Sequence, residues 1–400
     1  TDTLTIIGAV SNTGTYNWTI PDKITPATST VKVRISDTRD STVYDDSNNG
    51  FKIRGRFNVT YPNASGIQLD VGSACTITWT TNGTVPNVKL EYSKDNFTSD
   101  INTIITTTPN GNSYAWIVPN DITPATSTVR VRVSDVRDYD AKDDSDNPFK
   151  IRAKFTVGSP DVSGIVWTRG ESRTISWTNT GTVADVKLEY SKDNFVSDIK
   201  TIITTTPNSN SYAWTVPDDI TSPNSTVKVR VSDVRDYQAR DDSDNPFKIK
   251  GNFIVGYPNG AEQLRVGQQC AITWTTIGTI PTVKLEYSTD NFATVTNTII
   301  ASTPNITMTP GVYYYLWQVP NNITLPPSDY SVSVRVSDTR DPTVTLDTSD
   351  NPFKIKADMT VAYPNGDENL MVGTDEPITW TVAGTVPNVR LEYAMDDFVN

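Results

Sequence analysis

The chain of 400 residues contains no histidine. Imidazole is the commonest general base near neutral pH and a frequent ligand of catalytic metals, so its absence excludes most histidine-dependent hydrolases, metalloproteases and zinc enzymes. The sequence also lacks a Gly-x-Ser-x-Gly nucleophile elbow, a Gly-Lys-Ser phosphate loop and a metal-ligand cluster. We therefore expect no enzymatic activity and no catalytic cofactor.

Cysteine is nearly absent as well. Cys75 and Cys270 each lie four residues before the tryptophan of a strand, Trp79 and Trp274. Because they occupy the same slot in two repeats that are not adjacent, a disulfide within one domain is excluded, and one between domains is implausible on distance. We predict that both are small residues at the edge of a core.

Long apolar runs and an excess of positive charge are also missing. No window approaches 18 consecutive apolar residues and no charged and apolar leader opens the sequence, which predicts neither a membrane span nor a signal peptide here. The formal net charge is -12. This charge repels nucleic acid and anionic lipid surfaces and offers carboxylates to divalent cations, so nucleic acid is not an expected partner.

What the sequence does have is a repeat marked by aromatic residues. Trp79, Trp177, Trp274 and Trp380 each end an Ile-Thr-Trp-like strand, at intervals of 98, 97 and 106 residues. A second set follows in the same order: Trp18, Trp116, Trp214 and Trp317. The repeating unit is therefore about 98 residues long, and its third complete copy carries an insertion at residues 305–315.

Within each unit, apolar residues alternate with polar ones at the period of a β-strand. Cys75–Trp79 alternates with threonines, and Val88–Tyr92 alternates with Lys89 and Glu91, which predicts that these charges face water. Helical spacing is absent, and seven or eight short strands fill a unit. The predicted fold class is all-β, with tandem antiparallel β-sandwich domains, immunoglobulin-like or fibronectin-like, in an extended rod.

The repeat divides the chain into five parts. They are residues 1–55, the C-terminal half of one domain; 56–153, 154–251 and 252–357, three complete domains, the last with the insertion; and 358–400, the N-terminal half of another. The segment Phe149–Phe155 runs from the last strand of one domain into the first strand of the next, without a Gly/Ser- or Pro-rich spacer. We expect stiff joints and a semi-rigid rod.

The two half-domains are complementary in strand content. Two head-to-tail interpretations stay open. The sequence is a window of a longer array, or neighbouring subunits complete each other's split domain by strand pairing across their interface. In both, the main partner of the chain is the same kind of chain.

The order of motifs in a unit resembles a known repeat. In the third complete unit it is Tyr257-Pro-Asn-Gly260, Val266-Gly267, Ile272-Thr-Trp274, Val283-Lys-Leu-Glu-Tyr-Ser288, Tyr315-Leu-Trp-Gln-Val-Pro320 and Val334-Arg-Val-Ser-Asp338. This order resembles an immunoglobulin-like or fibronectin-type repeat of secreted and surface-exposed bacterial proteins, related at its start to the Kre9/Knh1 family of fungal cell walls. The resemblance covers nearly all of the chain.

The resemblance implies a β-sandwich and says little about function, because such modules serve as spacers, adhesive stalks, surface-layer units and appendages of secreted enzymes. The chain departs from the family pattern at Lys94–Phe97, which stands where the family has a Gly-Gly-rich turn.

Aspartates crowd the loop after each Val-Ser-Asp strand. In the first complete unit the candidate calcium ligands are Asp135, Asp138, Asp143, Asp144 and Asp146. Oxygen ligands packed on one loop suit Ca²⁺, although the spacing of an EF-hand is absent. The alternative is that these aspartates accept turn hydrogen bonds and pair with basic neighbours such as Arg137, Arg235 and Lys142.

Asparagine in Asn-x-Ser/Thr triplets is also common. In a secreted protein these sites could carry glycans, although such triplets also arise by chance in Asn- and Thr-rich sequence. The triplets begin at Asn17, Asn58, Asn63, Asn82, Asn96, Asn224, Asn305 and Asn322.

The sequence favours a structural component of an extracellular or cell-surface filament, sheath or surface layer. An adhesin or glycan-binding stalk is the alternative, with Tyr313 and Tyr314 of the inserted segment Thr307–Tyr315 as the residues that could contact a sugar. A third hypothesis is a spacer array within a larger secreted protein.

Overall fold

The computed structural model describes residues 3–25, 30–123, 126–320 and 331–395, and every regular element in these ranges is a β-strand. The described ranges include no helix that could cross a membrane. We use the predicted bounds to name a leading section (residues 1–55), units 1, 2 and 3 (56–153, 154–251 and 252–357) and a trailing section (358–400). The strands of the leading section are β1 (Arg34–Ser36) and β2 (Tyr44–Asp46).

Units 1 and 2 contain the same nine strands in the same order. Those of unit 1 are β3 (Arg56–Tyr61), β4 (Gln68–Asp70), β5 (Ala74–Asn82), β6 (Asn87–Ser93), β7 (Asn102–Pro109), β8 (Ser113–Ile117), β9 (Arg130–Asp135), β10 (Asp138–Asp144) and β11 (Lys150–Arg152). Those of unit 2 are β12 (Lys154–Ser159), β13 (Val166–Thr168), β14 (Ser172–Thr180), β15 (Asp185–Ser191), β16 (Ile199–Pro207), β17 (Ser211–Thr215), β18 (Lys228–Asp233), β19 (Asp236–Asp242) and β20 (Lys248–Lys250).

Unit 3 has one additional strand, which the insertion forms. Its strands are β21 (Asn252–Tyr257), β22 (Gln263–Arg265), β23 (Gln269–Ile277), β24 (Thr282–Ser288), β25 (Asn297–Pro304), β26 (Thr307–Thr309), β27 (Val312–Gln318), β28 (Ser333–Asp338), β29 (Leu346–Thr348) and β30 (Lys354–Lys356). The trailing section contains β31 (Asp358–Tyr363) and β32 (Thr379–Ala383).

Each complete unit is a sandwich of two antiparallel sheets. In unit 1 the sheets have the strand orders β3-β5-β8 and β10-β9-β6-β7, and the short strands β4 and β11 pair in parallel. Unit 2 repeats this arrangement, and unit 3 adds β26 beside β27. The topology confirms the predicted fold class, because it places tandem immunoglobulin-like β-sandwiches along an all-β chain.

The three complete units have three separate hydrophobic cores. The strand tryptophans Trp79, Trp177 and Trp274 are almost fully buried, at 2%, 2% and 1% exposure. The buried indole N–H still has a partner. In unit 1 Trp79 Nε1 donates to Asn110 Oδ1 at 2.9 Å, and the equivalent bond recurs in both other units. A buried donor without a partner would lower the stability of the fold, so this asparagine is part of the core.

Both cysteines are buried and free. Burial raises the pKa of the Cys75 and Cys270 thiols to about 11. A thiol with so high a pKa is a poor nucleophile at neutral pH. The prediction that both are small core-edge residues is therefore confirmed.

The turn after the tyrosine strand forms without glycine. Asn96 and Phe97 have φ of 59° and 58°, in the left-handed region. The Asp95 carboxylate accepts hydrogen bonds from the Ser99 hydroxyl and from backbone N–H groups of Thr98, Ser99 and Asp100, at 2.6–3.1 Å. These bonds hold the pKa of Asp95 far below its usual range. They also offset the strain of two positive-φ residues in place of the expected Gly-Gly pair.

The ring of Phe97 explains why an aromatic residue occupies this turn. The guanidinium of Arg132 lies 3.8 Å from the Phe97 ring centroid, and the same contact joins Phe195 to Arg230 and Phe292 to Arg335. A cation over an aromatic face is stabilising where water is excluded. The turn is thus fastened to the sheet beside it.

The prediction that Glu91 faces water is wrong. Glu91 is 2% exposed, and Arg132 of the neighbouring strand β9 is 7% exposed. The Tyr139 hydroxyl donates to Glu91 Oε2 at 2.9 Å and accepts from Arg132 at 2.8 Å. Burial opposes the charge on Arg132, but hydrogen bonds to Asp144 and Tyr139 outweigh it and raise the pKa of this guanidinium. Strand β10 supplies Tyr139, which covers a face that alternation alone assigns to solvent.

The leading and trailing sections leave apolar side chains exposed. Val361 and Leu391 of the trailing section are 48% and 55% exposed, whereas their equivalents Val59 and Leu90 in unit 1 are at most 1% exposed. The described strands of the trailing section, β31 and β32, form a two-stranded sheet, and these equivalent positions are not covered there.

Candidate functional site: the joints between units

Successive units join with a single residue between their strands. Strand β11 ends at Arg152 and β12 begins at Lys154, and the residue between them, Ala153, is 1% exposed. The same position holds Gly55 and Gly251 at the neighbouring joints. A Cβ atom on Gly251 would lie 2.7 Å from the Ile277 carbonyl oxygen. The next unit thus packs directly on the crossing backbone, and only a small residue fits.

A polar clasp recurs at each of three joints. At the joint between units 1 and 2, Thr182 N donates to Asn120 Oδ1 at 2.9 Å, and Asn120 Nδ2 donates to Thr182 Oγ1 at 2.7 Å. Aspartate takes the asparagine's place at the other two joints, where Asp22 pairs with Thr84 and Asp218 pairs with Thr279 at 2.6–3.0 Å. The clasp fixes a loop of one unit to the Gly-Thr turn of the next.

At the same three joints, an isoleucine packs into the following unit beside a glycine. Ile122 contacts the cores of both unit 1 and unit 2. A Cβ on Gly181 would lie 2.9 Å from Ile122 Cδ1, and Gly181 has φ of +102°. The pairs Ile24 with Gly83 and Ile220 with Gly278 repeat this contact. Glycine is required here both by its backbone conformation and by the isoleucine against it.

At the joint between units 1 and 2, a basic strand end of unit 1 binds an acidic hairpin of unit 2. Lys150 Nζ lies 3.0 Å from Asp236 Oδ2, and both side chains are only 5% exposed. Lys150 also donates to Gln238 Oε1 at 3.0 Å, and Arg152 donates to the Gln238 carbonyl at 2.8 Å. Removing one partner of a buried pair costs about 3–5 kcal/mol, because the other charge stays buried and unpaired.

The other two joints have ion pairs at equivalent places: Lys248 and Asp341 correspond to Lys150 and Asp236, and Arg54 corresponds to Arg152. Arg54 binds Asp138 and Asp140 at 2.7 and 2.8 Å, and Lys248 binds Asp341 at 2.7 Å. Burial acts to raise the pKa of Asp138 and Asp341, but their basic partners outweigh it and lower both pKa values. Asp341 also accepts a hydrogen bond from Ser222 at 2.6 Å. Each joint therefore combines a clasp, an apolar plug and an ionic contact, which together restrict rotation and bending.

The five candidate calcium ligands point to different partners. Asp135 pairs with Arg137, Asp138 with Arg54 and Asp144 with Arg132, while Asp143 accepts from Val59 N and Asp146 from Asn63. Among the described residues, no three His, Cys, Asp or Glu side chains are arranged to hold a metal ion. The geometry agrees with the alternative of turn bonds and ion pairs, which Arg235 repeats with Asp233. Calcium binding stays a prediction.

The glycosylation triplets differ in how available their amides are. Asn305 Nδ2 donates to Thr276 Oγ1 and the Ile280 carbonyl at 3.1 and 3.0 Å, and Asn63 Nδ2 donates to Asp146 at 2.9 Å. A glycan on either nitrogen would displace these bonds. Asn322 lies outside the described residues. The exposed members of the set are Asn17, Asn58, Asn82, Asn96 and Asn224.

The inserted segment forms a hairpin of β26 and β27 on the edge of unit 3. Tyr313, which we considered for sugar contact, is half-buried, packs against the core of unit 3 and lies parallel to Trp274, with ring centroids 6.5 Å apart. Tyr314 pairs with Thr273 in the neighbouring strand and is also half-buried. The insertion thus extends a sheet, and Tyr313 serves its core.

The joint residues were not predicted from the sequence, although a signal for them exists. The pairs Gly83-Thr84, Gly181-Thr182 and Gly278-Thr279 recur at the repeat interval, as do Ile24, Ile122 and Ile220. A single recurrence of this kind cannot distinguish a residue that serves its own core from one that contacts the next unit. The partners lie in different units, and only the folded chain brings them together.

No protein-family model matches the chain, and no curated protein matches it in sequence. The likeness to the bacterial surface repeat and to the Kre9/Knh1 family therefore stays a prediction. Solved structures with some likeness include a fragment of the titin I-band (11% identity, 76% of this chain and 99% of that one, TM-score 0.23) and three N-terminal domains of the outer capsid protein Hoc of bacteriophage RB49 (12%, 76% and 99%, 0.24). A third is a tetra-tandem repeat from the extending region of a large adhesion protein (16%, 78% and 77%, 0.26). At TM-scores this low the likenesses support no functional conclusion.

Proposed function

We propose that the chain is a structural, force-transmitting segment of an extracellular or cell-surface filament, sheath or surface layer. The observation that supports this proposal is the recurrence of the same three contacts at each of three successive joints: the clasp of Asn120 with Thr182, the plug of Ile122 on Gly181, and the ion pair of Lys150 with Asp236. Domains that only need to be tethered require none of these contacts, whereas domains that are held at a fixed angle to each other require contacts of this kind.

The chemistry of the joint fits a mechanical role. The clasp and the ion pair are short-range and directional, and the ion pair of Lys150 with Asp236 is buried, which strengthens it. Since adjacent strands are separated by one buried residue, a pull along the chain passes from one sandwich into the next without a slack linker. On this proposal, the partners of the chain are further units of the same kind.

The stiffness of the joint can be tested on the 400-residue chain by electron microscopy of negatively stained molecules. The angle between units 1 and 2 should be narrowly distributed in the unaltered chain and broad in the double variant Asn120→Ala, Ile122→Ala. Asn58→Ala, an exposed change in β3 that is not part of the joint between units 1 and 2, is the control and should leave the distribution unchanged. A broad distribution in the unaltered chain would contradict a force-transmitting role.

The cellular placement needs a separate experiment. An antibody raised against the chain should decorate the outside of intact producing cells, and decorated material should be filamentous or layered in micrographs. Label confined to the interior of permeabilised cells would show that the placement is wrong, whatever the stiffness of the joints.

A further inference from the structure

The two sides of the unit 1 sandwich differ in charge. On one side of unit 1, β10 contains five charged residues within seven positions: Asp138, Asp140, Lys142, Asp143 and Asp144. On the other side, the edge strands β7 and β8 contain none. Proteins ordinarily protect exposed strand edges with charge, proline or a covering segment, because an unprotected edge can pair with another chain. The side formed by β7 and β8 has no such charge.

The edge of β8 has backbone groups directed outward. Among the described residues, β8 pairs only with β5. Val118 N donates to the Ser73 carbonyl at 3.0 Å, and Trp79 N donates to the Asn112 carbonyl at 3.1 Å. These two bonds show which residues of β8 are hydrogen-bonded to β5 and which are not. In an antiparallel pair the residues between such bonds direct their N–H and C=O groups away from the neighbour. In β8 those residues are Ser113, Ala115 and Ile117.

Unit 3 shows that this edge accepts an extended segment of the chain itself. Tyr314 corresponds to Ser113, since each lies opposite the equivalent threonine of the neighbouring strand, Thr273 or Thr78. Tyr314 N donates to the carbonyl of Ile306 at 3.3 Å, immediately before β26. The insertion of unit 3 therefore supplies a partner to the backbone position that β8 leaves open in unit 1.

The approach to β8 is open in unit 1. A cleft of about 460 Å³ lies between β7 and β8, and Tyr92, Ile104 and Tyr114 are among its lining residues. In unit 2 the corresponding region holds Lys200, whose Nζ lies 5.8 Å from the Tyr190 ring centroid and pairs with an aspartate. Unit 1 has a shorter, neutral asparagine, Asn102, at that position, and the described residues that line its cleft include no lysine.

We propose that β8 is a self-association edge, at which Ser113–Ile117 pairs antiparallel with the same strand of a second copy of this chain. A two-fold pairing centred on Ala115 places Ala115 opposite its own copy and Ser113 opposite Ile117. The small central side chain lets the strands reach the spacing of a hydrogen-bonded pair, about 5.5 Å between Cα atoms. The sheet β3-β5-β8 would then continue into the partner.

A second copy is the occupant that these observations favour. The segment that occupies the equivalent edge in unit 3 belongs to this chain, and a strand without charge offers nothing to select a charged foreign peptide. The pairing adds lateral association to the proposed function and does not depend on the joints. Because each copy has a net charge of -12, association should increase with salt, which screens the repulsion between copies.

The test introduces a charge at the centre of the pair in two variants of opposite sign. Self-association is measured by sedimentation velocity over a range of concentrations. Ala115 is exposed, so Ala115→Lys and Ala115→Glu leave the fold of unit 1 intact, which near-ultraviolet circular dichroism of the tryptophans checks. Each variant alone brings like charges directly opposite each other and should associate at least about tenfold more weakly than the unaltered chain. An equimolar mixture of the two should associate again.

The control is Asn58→Lys, on the exposed face of the opposite edge strand β3, which should associate like the unaltered chain. An unaltered chain that stays monomeric up to its solubility limit would overturn the proposal. So would a mixture of the Lys and Glu variants that associates no better than either alone. Loss of joint stiffness in the microscopy experiment would leave this result unchanged, so the two proposals fail separately.

Discussion

Adding one methyl group at Gly181 should loosen the joint between units 1 and 2. The Cβ of Gly181→Ala would lie 2.9 Å from Ile122 Cδ1 and 3.2 Å from Val71 Cγ2, closer than side-chain carbons pack. Alanine at a φ of +102° costs about 1–2 kcal/mol in backbone strain. Overpacking adds about 1–3 kcal/mol if the neighbours hold their places. We expect Ile122 to move out of unit 2 instead, since it lies on a loop.

The loosening can be measured as a distribution of distances between two units. Spin labels at Thr106→Cys in β7 and Thr204→Cys in β16, both exposed, report on units 1 and 2, and the native Cys75 and Cys270 are buried. Double electron–electron resonance should give one narrow distance in the labelled parent chain. The alanine variant at the joint should give a distribution at least about twice as wide.

Gly164→Ala is the matched control. Gly164 has φ of +81° and open space around its Cβ position, so the substitution introduces backbone strain in unit 2 without touching the joint. It should lower the thermal unfolding temperature of unit 2 and leave the distance distribution narrow. If Gly164→Ala and Gly181→Ala broaden the distribution equally, the reasoning that Ile122 and Gly181 fix the angle is refuted.

Three further changes probe the joints and the core. Lys150→Ala should destabilise by about 3–5 kcal/mol in chemical denaturation, and the double change with Asp236→Ala should cost less than the sum of the single changes, because no charge is then left unpaired. Lowering the pH should weaken the joint at Asp341. Burial acts to raise the pKa of this carboxyl, but pairing with Lys248 outweighs it and lowers the pKa, so the contribution of the pair is complete above the unfolded pKa of about 4 and is lost as the pH falls through the folded value. A spin-label distance distribution between units 2 and 3 that stays narrow throughout an acid titration, until the units unfold, would contradict this. Asn110→Ala leaves a buried indole N–H unpaired and should cost about 1–3 kcal/mol, visible as a lower unfolding temperature of unit 1.

The sandwich could be predicted because its signal is local and repeated. Residues such as Ile77, Trp79 and Leu90 alternate with polar neighbours, and burying a side chain of this size is worth about 1.5–3 kcal/mol, so the pattern determines which face turns inward. The same pattern gave the wrong face for Glu91. Glu91 is covered by Tyr139, which lies on strand β10, distant in sequence. The alternation of apolar and polar residues does not determine the register of that strand.

The joints could not be predicted for a related reason. Asn120 and Thr182 are 62 residues apart and Lys150 and Asp236 are 86 residues apart, and neither pair lies within one repeat. The repeat shows which residues recur, but the angle between units determines which of them are in contact across a joint. Propensity and periodicity contain no information on that angle.

Ile122 belongs to two cores at once, and this has a consequence for the stability of the array. It packs against the buried residues of unit 1 and also against those of unit 2, so unfolding either unit removes part of the burial of the other. Stability in such a chain is a sum of intrinsic terms and nearest-neighbour terms. A unit with neighbours on both sides therefore gains two joint terms, and a unit at an end gains one. Weakening a single joint should lower the unfolding temperatures of both adjoining units, and a chain in which only one of them responds would show that the shared isoleucine does not couple them.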